Sequence, residues 1–105
     1  MISTFKNSSL ANVSTETTLL TVPTGKVLTI ISLSLANVTI GDIQVVFKLD
    51  NIHLVKNTLI PTGASLLVSG ADQKIVAMAG QSLKVSSNTV NGTDVLVSYI
   101  EIDIS

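Results

Sequence analysis

VPTGKVLTI at residues 22–30 returns almost unchanged as IPTGASLLV at residues 60–68. A weaker third copy, AGQSLKV at residues 79–85, keeps the glycine and the spaced aliphatic residues but lacks the proline. Proline fixes φ and suits the first central position of a turn, and glycine supplies the positive φ that other residues resist. A turn that opens onto alternating aliphatic residues marks the start of a β-strand. The sequence therefore predicts repeated turn-and-strand units.

The alternation of apolar and polar residues continues from Thr17 to the end of the chain, and no segment keeps a helical period. We predict strands at residues 17–22, 26–38, 43–49, 52–60, 65–68, 74–78, 81–87 and 95–104. Asp50-Asn51 and Asn91-Gly92 are typical of two-residue hairpin turns. The predicted fold is all-β, a single antiparallel, jelly-roll-like β-sandwich of about 7–9 strands, with a small barrel as the alternative.

The predicted strand at residues 26–38 has two different faces. One face carries Val27, Thr29, Ile31, Leu33 and Leu35. The other carries Leu28, Ile30, Ser32, Ser34 and Ala36. Because this second face changes from apolar to small and polar midway, the strand is expected to pass from the core to an exposed or interface surface.

Residues 1–16 are polar and show no sustained period, so they are predicted to form a flexible N-terminal arm before a β-sandwich domain at residues 17–105. Phe5, Leu10 and Val13 are the apolar residues with which such an arm could anchor to a neighbouring subunit. Together with Tyr99, they are the predicted interface residues. The arm is expected to become ordered on that neighbour.

Charge is sparse: 12% of the residues are charged, against about 25% in typical domains, and the net charge is −1. One interpretation is a Ser/Thr/Asn-rich surface that stays soluble through hydroxyl and amide groups. The other, which we favour, is a surface covered by further copies or by a larger assembly. The chain contains no cysteine, which excludes disulfides and thiolate metal sites within it.

No catalytic, cofactor or metal site is predicted, and the protein is expected not to be an enzyme. His53 is the only histidine and falls on the solvent side of a predicted hairpin strand. Glu101 and Asp103 could act as the paired carboxylates of a glycosidase or bind calcium, but a solvated edge strand is the favoured interpretation.

Nucleic-acid binding is not expected because arginine is absent and aromatic residues make up 3% of the chain. Ser32, Ser34 and Asn37 interrupt the most apolar region, so a membrane span is not expected either.

The stretch LTVPTGK at residues 20–26, followed by a long Ser/Leu/Ala strand that ends at Asn37, resembles a family of small virion proteins of tailed bacteriophages. The similarity continues, in the same order, through residues 54–57, 60–63, 79–85 and 97–101. The commoner pattern has alanine where this chain has Thr24 and Thr62. The resemblance implies a β-sandwich that serves as a structural part of a virus particle.

Together, these features predict a capsid decoration or cement protein, located in the virion and assembled in the host cytoplasm. Its partners would be further copies of itself, with a trimer as one option, and the major capsid protein or other virion proteins. The alternative is a tail, neck, baseplate or fibre component that contacts the host surface. An enzyme acting through Glu101 is the third and least favoured hypothesis.

Overall fold

A computed structural model describes residues 3–69, 75–90 and 92–104, which form nine strands and no helix. The strands are β1 (Ser3–Val13), β2 (Thr17–Thr21), β3 (Lys26–Asn37), β4 (Ile43–Leu49), β5 (Ile52–Ile60), β6 (Ser65–Ser69), β7 (Ile75–Ala77), β8 (Ser82–Ser87) and β9 (Thr93–Asp103). All their pairings are antiparallel. The predicted all-β class is confirmed.

The strands form two sheets whose order follows from folding one long hairpin over on itself. Sheet A has the order β1-β9-β3-β6, with β7 pairing beside β6 on the same side of β3, and sheet B has the order β2-β8-β4-β5. β4 pairs with β5, β3 with β6 and β7, β2 with β8, and β1 with β9, so the hairpins are nested. When the nested hairpins fold over into two layers, β3 also pairs with β9 and β4 also pairs with β8. The result is a jelly-roll sandwich, as predicted.

The core lies between the two sheets and is almost entirely aliphatic. In β4, Ile43, Val45 and Phe47 are fully buried whereas Gln44 is exposed, which confirms the predicted alternation. Facing them, sheet A contributes buried residues from β3 and β9. Each such side chain contributes about 1.5–3 kcal/mol when it leaves water, so the alternating inner faces provide the main driving force for folding.

A β-bulge in β3 exchanges the faces of the strand midway. Leu28 and Ile30 are fully buried, and so are Leu33 and Leu35, although an unbroken alternation would put these pairs on opposite faces. The register with β9 shifts between Ile30 and Ser32, so one extra residue turns the second half of the strand over. The face assignment predicted from the sequence is therefore wrong for half of β3, because strict alternation was assumed where the strand is bulged.

The repeated motif forms the same turn three times. The carbonyl groups of Pro23, Pro61 and Met78 each accept a hydrogen bond from the amide three residues later, at 3.2, 3.1 and 3.0 Å. The glycine in the third position has a φ of 76 to 86° in all three copies, so the expected positive φ is confirmed. In the two copies that contain it, proline occupies the first position of the turn, and not the first central position as predicted. Its rigid φ fixes how the chain enters the turn.

The N-terminal segment is a strand and not a loose arm. β1 pairs with β9 from Ser3, opposite Ile102, to Leu10, opposite Val95, and resumes at Val13 after a bulge at Asn12, whose φ is 56°. This segment carries no apolar alternation that would predict a strand, because β1 is an edge strand with mostly exposed side chains. The strand forms because β9 offers it a backbone edge to pair with.

The Asp50-Asn51 hairpin is confirmed, since Leu49 pairs with Ile52 and Asp50 has a φ of 53°. The second predicted hairpin includes Asn91, which lies outside the described residues. Lys74, the first residue of the strand predicted at residues 74–78, also lies outside the described residues, and β7 is described from Ile75 to Ala77.

Candidate interaction surface

The outward side of sheet A forms a nearly uncharged surface, which we call the neutral face. Its position follows from β9, in which Val95, Val97 and Tyr99 are buried and the alternate residues point outward. The cross-strand register then defines four rows. They run Ser9–Leu96–Ser34–Leu67, Asn7–Ser98–Ser32, Phe5–Ile100–Thr29–Val76 and Ser3–Ile102–Val27.

Large apolar side chains stand out from this face between small hydroxyl groups. Phe5 is 78% exposed, Leu67 63%, Val76 51% and Leu96 47%. Among the described outward-facing residues of sheet A, Asp94 is the only charged one, and its carboxylate accepts a 2.8 Å hydrogen bond from the backbone amide of Asn12. Exposed apolar groups set among uncharged neighbours on one face of a sheet are typical of an interaction surface.

The outward side of sheet B is charged, in contrast. Lys48 lies between Lys84 on β8 and His53 on β5, and its ammonium group forms an ion pair with the carboxylate of Glu16. Two lysines directly opposite each other repel, and Glu16 offsets that repulsion. Its hydrogen bond with Lys48 holds the pKa of the Glu16 carboxyl below its ordinary value, with further contributions from Lys84 and His53. Charge is thus concentrated on one of the two outer faces.

Two ion pairs of sheet A lie at inward-facing register positions near the strand ends, away from the neutral face. The Lys6 ammonium is 2.8 Å from a carboxylate oxygen of Glu101, and Lys26 is 3.4 Å from Asp103. The hydrogen bond to Glu101 raises the pKa of Lys6. These four charges are therefore paired within the subunit.

The neutral face has shallow relief. A depression of about 280 Å³ lies across β1, β9 and β3 and is lined by Ser9, Leu96, Ser34 and Ala36 among others. A second one, of about 240 Å³, lies beside Phe5, Ile31 and Ser98. A separate groove of about 340 Å³ runs between β5 and the β6–β7 edge and is lined mainly by aliphatic side chains. None of the three brings together titratable side chains in a way that suggests catalysis.

The structure distributes the predicted interface residues between surface and core. Phe5 is fully available on the neutral face. Leu10 is half-buried and packs against the core, and Val13 and Tyr99 are only 4% and 6% exposed. Val13 and Tyr99 therefore have little surface to offer a partner, because both side chains belong to the core between the two sheets.

The residues that could carry catalysis or bind a metal do not lie together in one site. His53 is exposed, as predicted, and the nearest charged neighbour in its register is Lys48. Glu101 and Asp103 lie on β9, which is a central strand between β1 and β3 and not the edge strand expected from the sequence. Each is held by a lysine. Within residues 3–69, 75–90 and 92–104, no three His, Asp or Glu side chains cluster in a way that could hold a metal ion.

Sequence reasoning missed most of the neutral face. The sequence pattern assigns Leu67, Val76 and Leu96 to strands but not to a side. A usable signal existed in β9, where LVSYI carries aliphatic residues on both faces although the chain is short. Apolar side chains on both sides are typical of a strand that is covered on both sides, and this sandwich has a second layer on one side only.

The chain is similar in fold to a known protein but matches no known family. No known family profile matches the sequence, and no curated protein matches it. Among solved structures, the chain is similar to a protein of Bacillus endospore appendages, which form a novel family of disulfide-linked pili. The TM-score is 0.55 at 11% sequence identity, covering 99% of this chain and 88% of the other. This likeness concerns the fold alone. The described residues contain no helix that could cross a membrane.

Proposed function

We propose that this protein is a non-enzymatic structural subunit of a bacteriophage virion, and that it decorates and cements the head. The observation that carries this proposal is the neutral face, which leaves Phe5, Leu67, Val76 and Leu96 in contact with water in the free subunit. A subunit designed to stay alone would be expected to distribute charge over both outer faces.

The size of the neutral face suits a specific contact. Four strands about 4.8 Å apart and four side-chain rows about 6.8 Å apart give a projected area of roughly 500 Å². Covering it would bury about that area on each partner, or roughly 1,000 Å² in total, which is near the lower bound for a specific interface. Contacts of this size are modest individually, and their stabilisation adds up over the many copies on a particle.

Two comparisons support a structural role. The sequence motifs around residues 20–37 resemble virion proteins of tailed phages, and the structural neighbour comes from an assembled appendage. The neighbour's pili are described as disulfide-linked, whereas this chain has no cysteine. Assembly of this chain would therefore depend on surface burial and hydrogen bonds.

In this function, the neutral face packs on the major capsid protein, or on another virion protein at the same surface. The charged outer face of sheet B, with Lys48, Lys84 and Glu16, stays in solvent. The subunit would be added in the host cytoplasm and would remain in the virion, and it would bind neither nucleic acid nor a membrane.

The test is to count and locate the protein in purified virions. Quantitative mass spectrometry should give a copy number close to that of the major shell protein, and immunogold labelling should cover the whole head. Absence of the protein from intact particles would refute a virion role.

A tail or fibre component is the second candidate, supported by the elongated shape of 45 × 24 × 20 Å and by a neighbour that forms pili. The same two measurements separate it from the first candidate. A tail or fibre protein should be present in few copies, with label at one end of the particle.

A further inference from the structure

The exposed edges of the two sheets differ in how well they could accept another strand. In sheet B, the edge strand β2 is bulged between Thr18 and Leu20, and β5 has two register shifts and a left-handed residue, Asn57, with a φ of 50°. The far edge of sheet A is divided between β6 and β7, and β6 is itself bulged. Bulges and breaks of this kind protect an edge from pairing with another chain.

The edge formed by β1 has no such protection over most of its length. Its register with β9 is continuous from Ser3 to Leu10, with a bulge only beyond that point. Within the described residues β1 pairs with β9 alone, so no other strand pairs with its outer edge, and β2 touches β1 through the Ser8 hydroxyl, which donates a 3.2 Å hydrogen bond to the carbonyl of Leu19. Its single charged side chain, Lys6, is held by Glu101 on the neighbouring strand. A long and regular edge without protection is a template for strand addition.

We propose that β1 pairs with β1 of a second copy, antiparallel and around a two-fold axis, so that the two copies of sheet A become one continuous sheet. This deepens the proposed function and rests on it, because it identifies how copies of the subunit join. The second copy is the natural occupant because a two-fold contact matches one regular edge with an identical one. The resulting assembly is a dimer, whereas the sequence analysis gave a trimer as one option.

The geometry of antiparallel pairing restricts the register. If the two-fold axis is perpendicular to the sheet, both neutral faces lie on the same side of the joined sheet. In an antiparallel pair this requires one residue of β1 to lie directly opposite the same residue of the second copy, and the paired segment is centred on that residue. Centring on residue 6 or 7 pairs seven regular residues of each strand (3–9 or 4–10), whereas centring on residue 5 or 8 pairs five (3–7 or 6–10).

Charge decides between the two longer registers. Centring on Lys6 would place two ammonium groups directly opposite each other, which is unfavourable. Centring on Asn7 places two amides opposite each other, Lys6 opposite Ser8, and Phe5 opposite Ser9. The amides can donate to and accept from each other. Asn7 is therefore the residue expected at the axis.

This pairing also explains why the neutral face stops at β1 without a charged border. Joined at β1, the two neutral faces form one surface of twice the width. Each copy then has the second copy's Phe5 close to its own Ser9, in the same row as Leu96. The dimer would therefore be the unit that covers a larger assembly.

The absence of cysteine allows a clean test by single-cysteine cross-linking. In Asn7→Cys the two β-carbons would lie about 4.5–5.5 Å apart, close to the range that a disulfide spans. In Ser9→Cys the same residues would be offset by four positions along the strands, or roughly 13 Å. Thr18→Cys, on the edge strand β2, is the control for random collision.

Under mild oxidation of the purified full-length protein, Asn7→Cys should form covalent dimers at least several-fold faster than the other two variants. Spin labels at the same positions should give the shortest inter-subunit distance at residue 7. Circular dichroism and thermal melting should show that all three variants remain folded, since these positions are exposed.

Equal cross-linking rates in the three variants would refute the pairing, and so would a monomer or a trimer in sedimentation of the cysteine-free protein at the concentration used. This outcome is independent of the proposed function. The experiment uses the purified chain, whereas the virion role is tested by copy number in particles.

Discussion

At the scale of single residues, Asn37 is a buried polar side chain that makes four hydrogen bonds. It is 6% exposed, and its amide nitrogen donates to the carbonyl groups of Gly41 and Ile60 at 2.8 and 2.9 Å. Its amide oxygen accepts hydrogen bonds from the backbone amide and the hydroxyl of Thr39, both at 2.8 Å. One side chain thus fixes the β3–β4 connection against the end of β5.

Asn37→Ala should lower the free energy of unfolding by about 2–4 kcal/mol, because it removes the buried hydrogen bond to the Ile60 carbonyl and the acceptor of the half-buried Thr39 amide. Urea denaturation followed by circular dichroism measures this loss. Asn88→Ala is the graded control. It removes an acceptor for the Gln44 amide at an exposed site, and it should cost less than about 1 kcal/mol. Similar losses in both variants would contradict the role assigned to Asn37.

Gly63 should not tolerate a side chain, although there is space for one. Its φ is +76°, and no atom would lie within 4 Å of an added β-carbon, so the cost of Gly63→Ala is backbone strain of about 1–2 kcal/mol. Gly41 is equally open but does not have a positive φ, so Gly41→Ala should be neutral or slightly stabilising. Thermal melting of the two variants measures the difference, and the reverse order would disprove the turn assignment.

At the scale of elements, the bulge in β3 decides which of two adjacent isoleucines supports the core. Ile30 is fully buried, whereas Ile31 is half-buried and lines a depression beside Phe5. Because of the bulge, β3 contributes side chains to the core along its whole length: even-numbered residues face the core before the bulge and odd-numbered residues after it.

Ile30→Ala should therefore cost about 2–5 kcal/mol, the usual range for a large-to-small change in a core. Ile31→Ala should cost less, about 1–2 kcal/mol, since the side chain is already partly exposed. The two variants differ only in position, so each is the control for the other in chemical denaturation. If Ile31→Ala were the more damaging change, the face assignment of β3 would be wrong.

At the scale of the whole molecule, the two outer faces are expected to have different roles. In the proposed function, the neutral face of sheet A makes the contact and the charged face of sheet B stays in solvent. Leu96 and Leu59 allow a matched comparison, because they are 47% and 55% exposed and lie on the outer sides of sheet A and sheet B.

Leu96→Lys should reduce the number of copies per particle by about tenfold or more, because it places an unpaired charge in the contact. Leu59→Lys should leave the copy number unchanged, and both variants should remain folded because both sites are exposed. Quantitative mass spectrometry of virions assembled with each variant measures the effect. Equal incorporation of the two variants would rule out the neutral face as the contact surface.

The sequence by itself determined the strand-and-turn content of this protein. Glycine at the third turn position and the alternation in β4 act locally, through φ and through the two sides of a strand, so they can be recognised without a fold. The tertiary structure decided that residues 3–13 form a strand, that β9 is central, and that β3 turns over at Ile31. These features arise from pairing with distant strands. Edge pairing and a one-residue bulge leave almost no mark on the local pattern, and the neutral face exists only once four strands lie side by side.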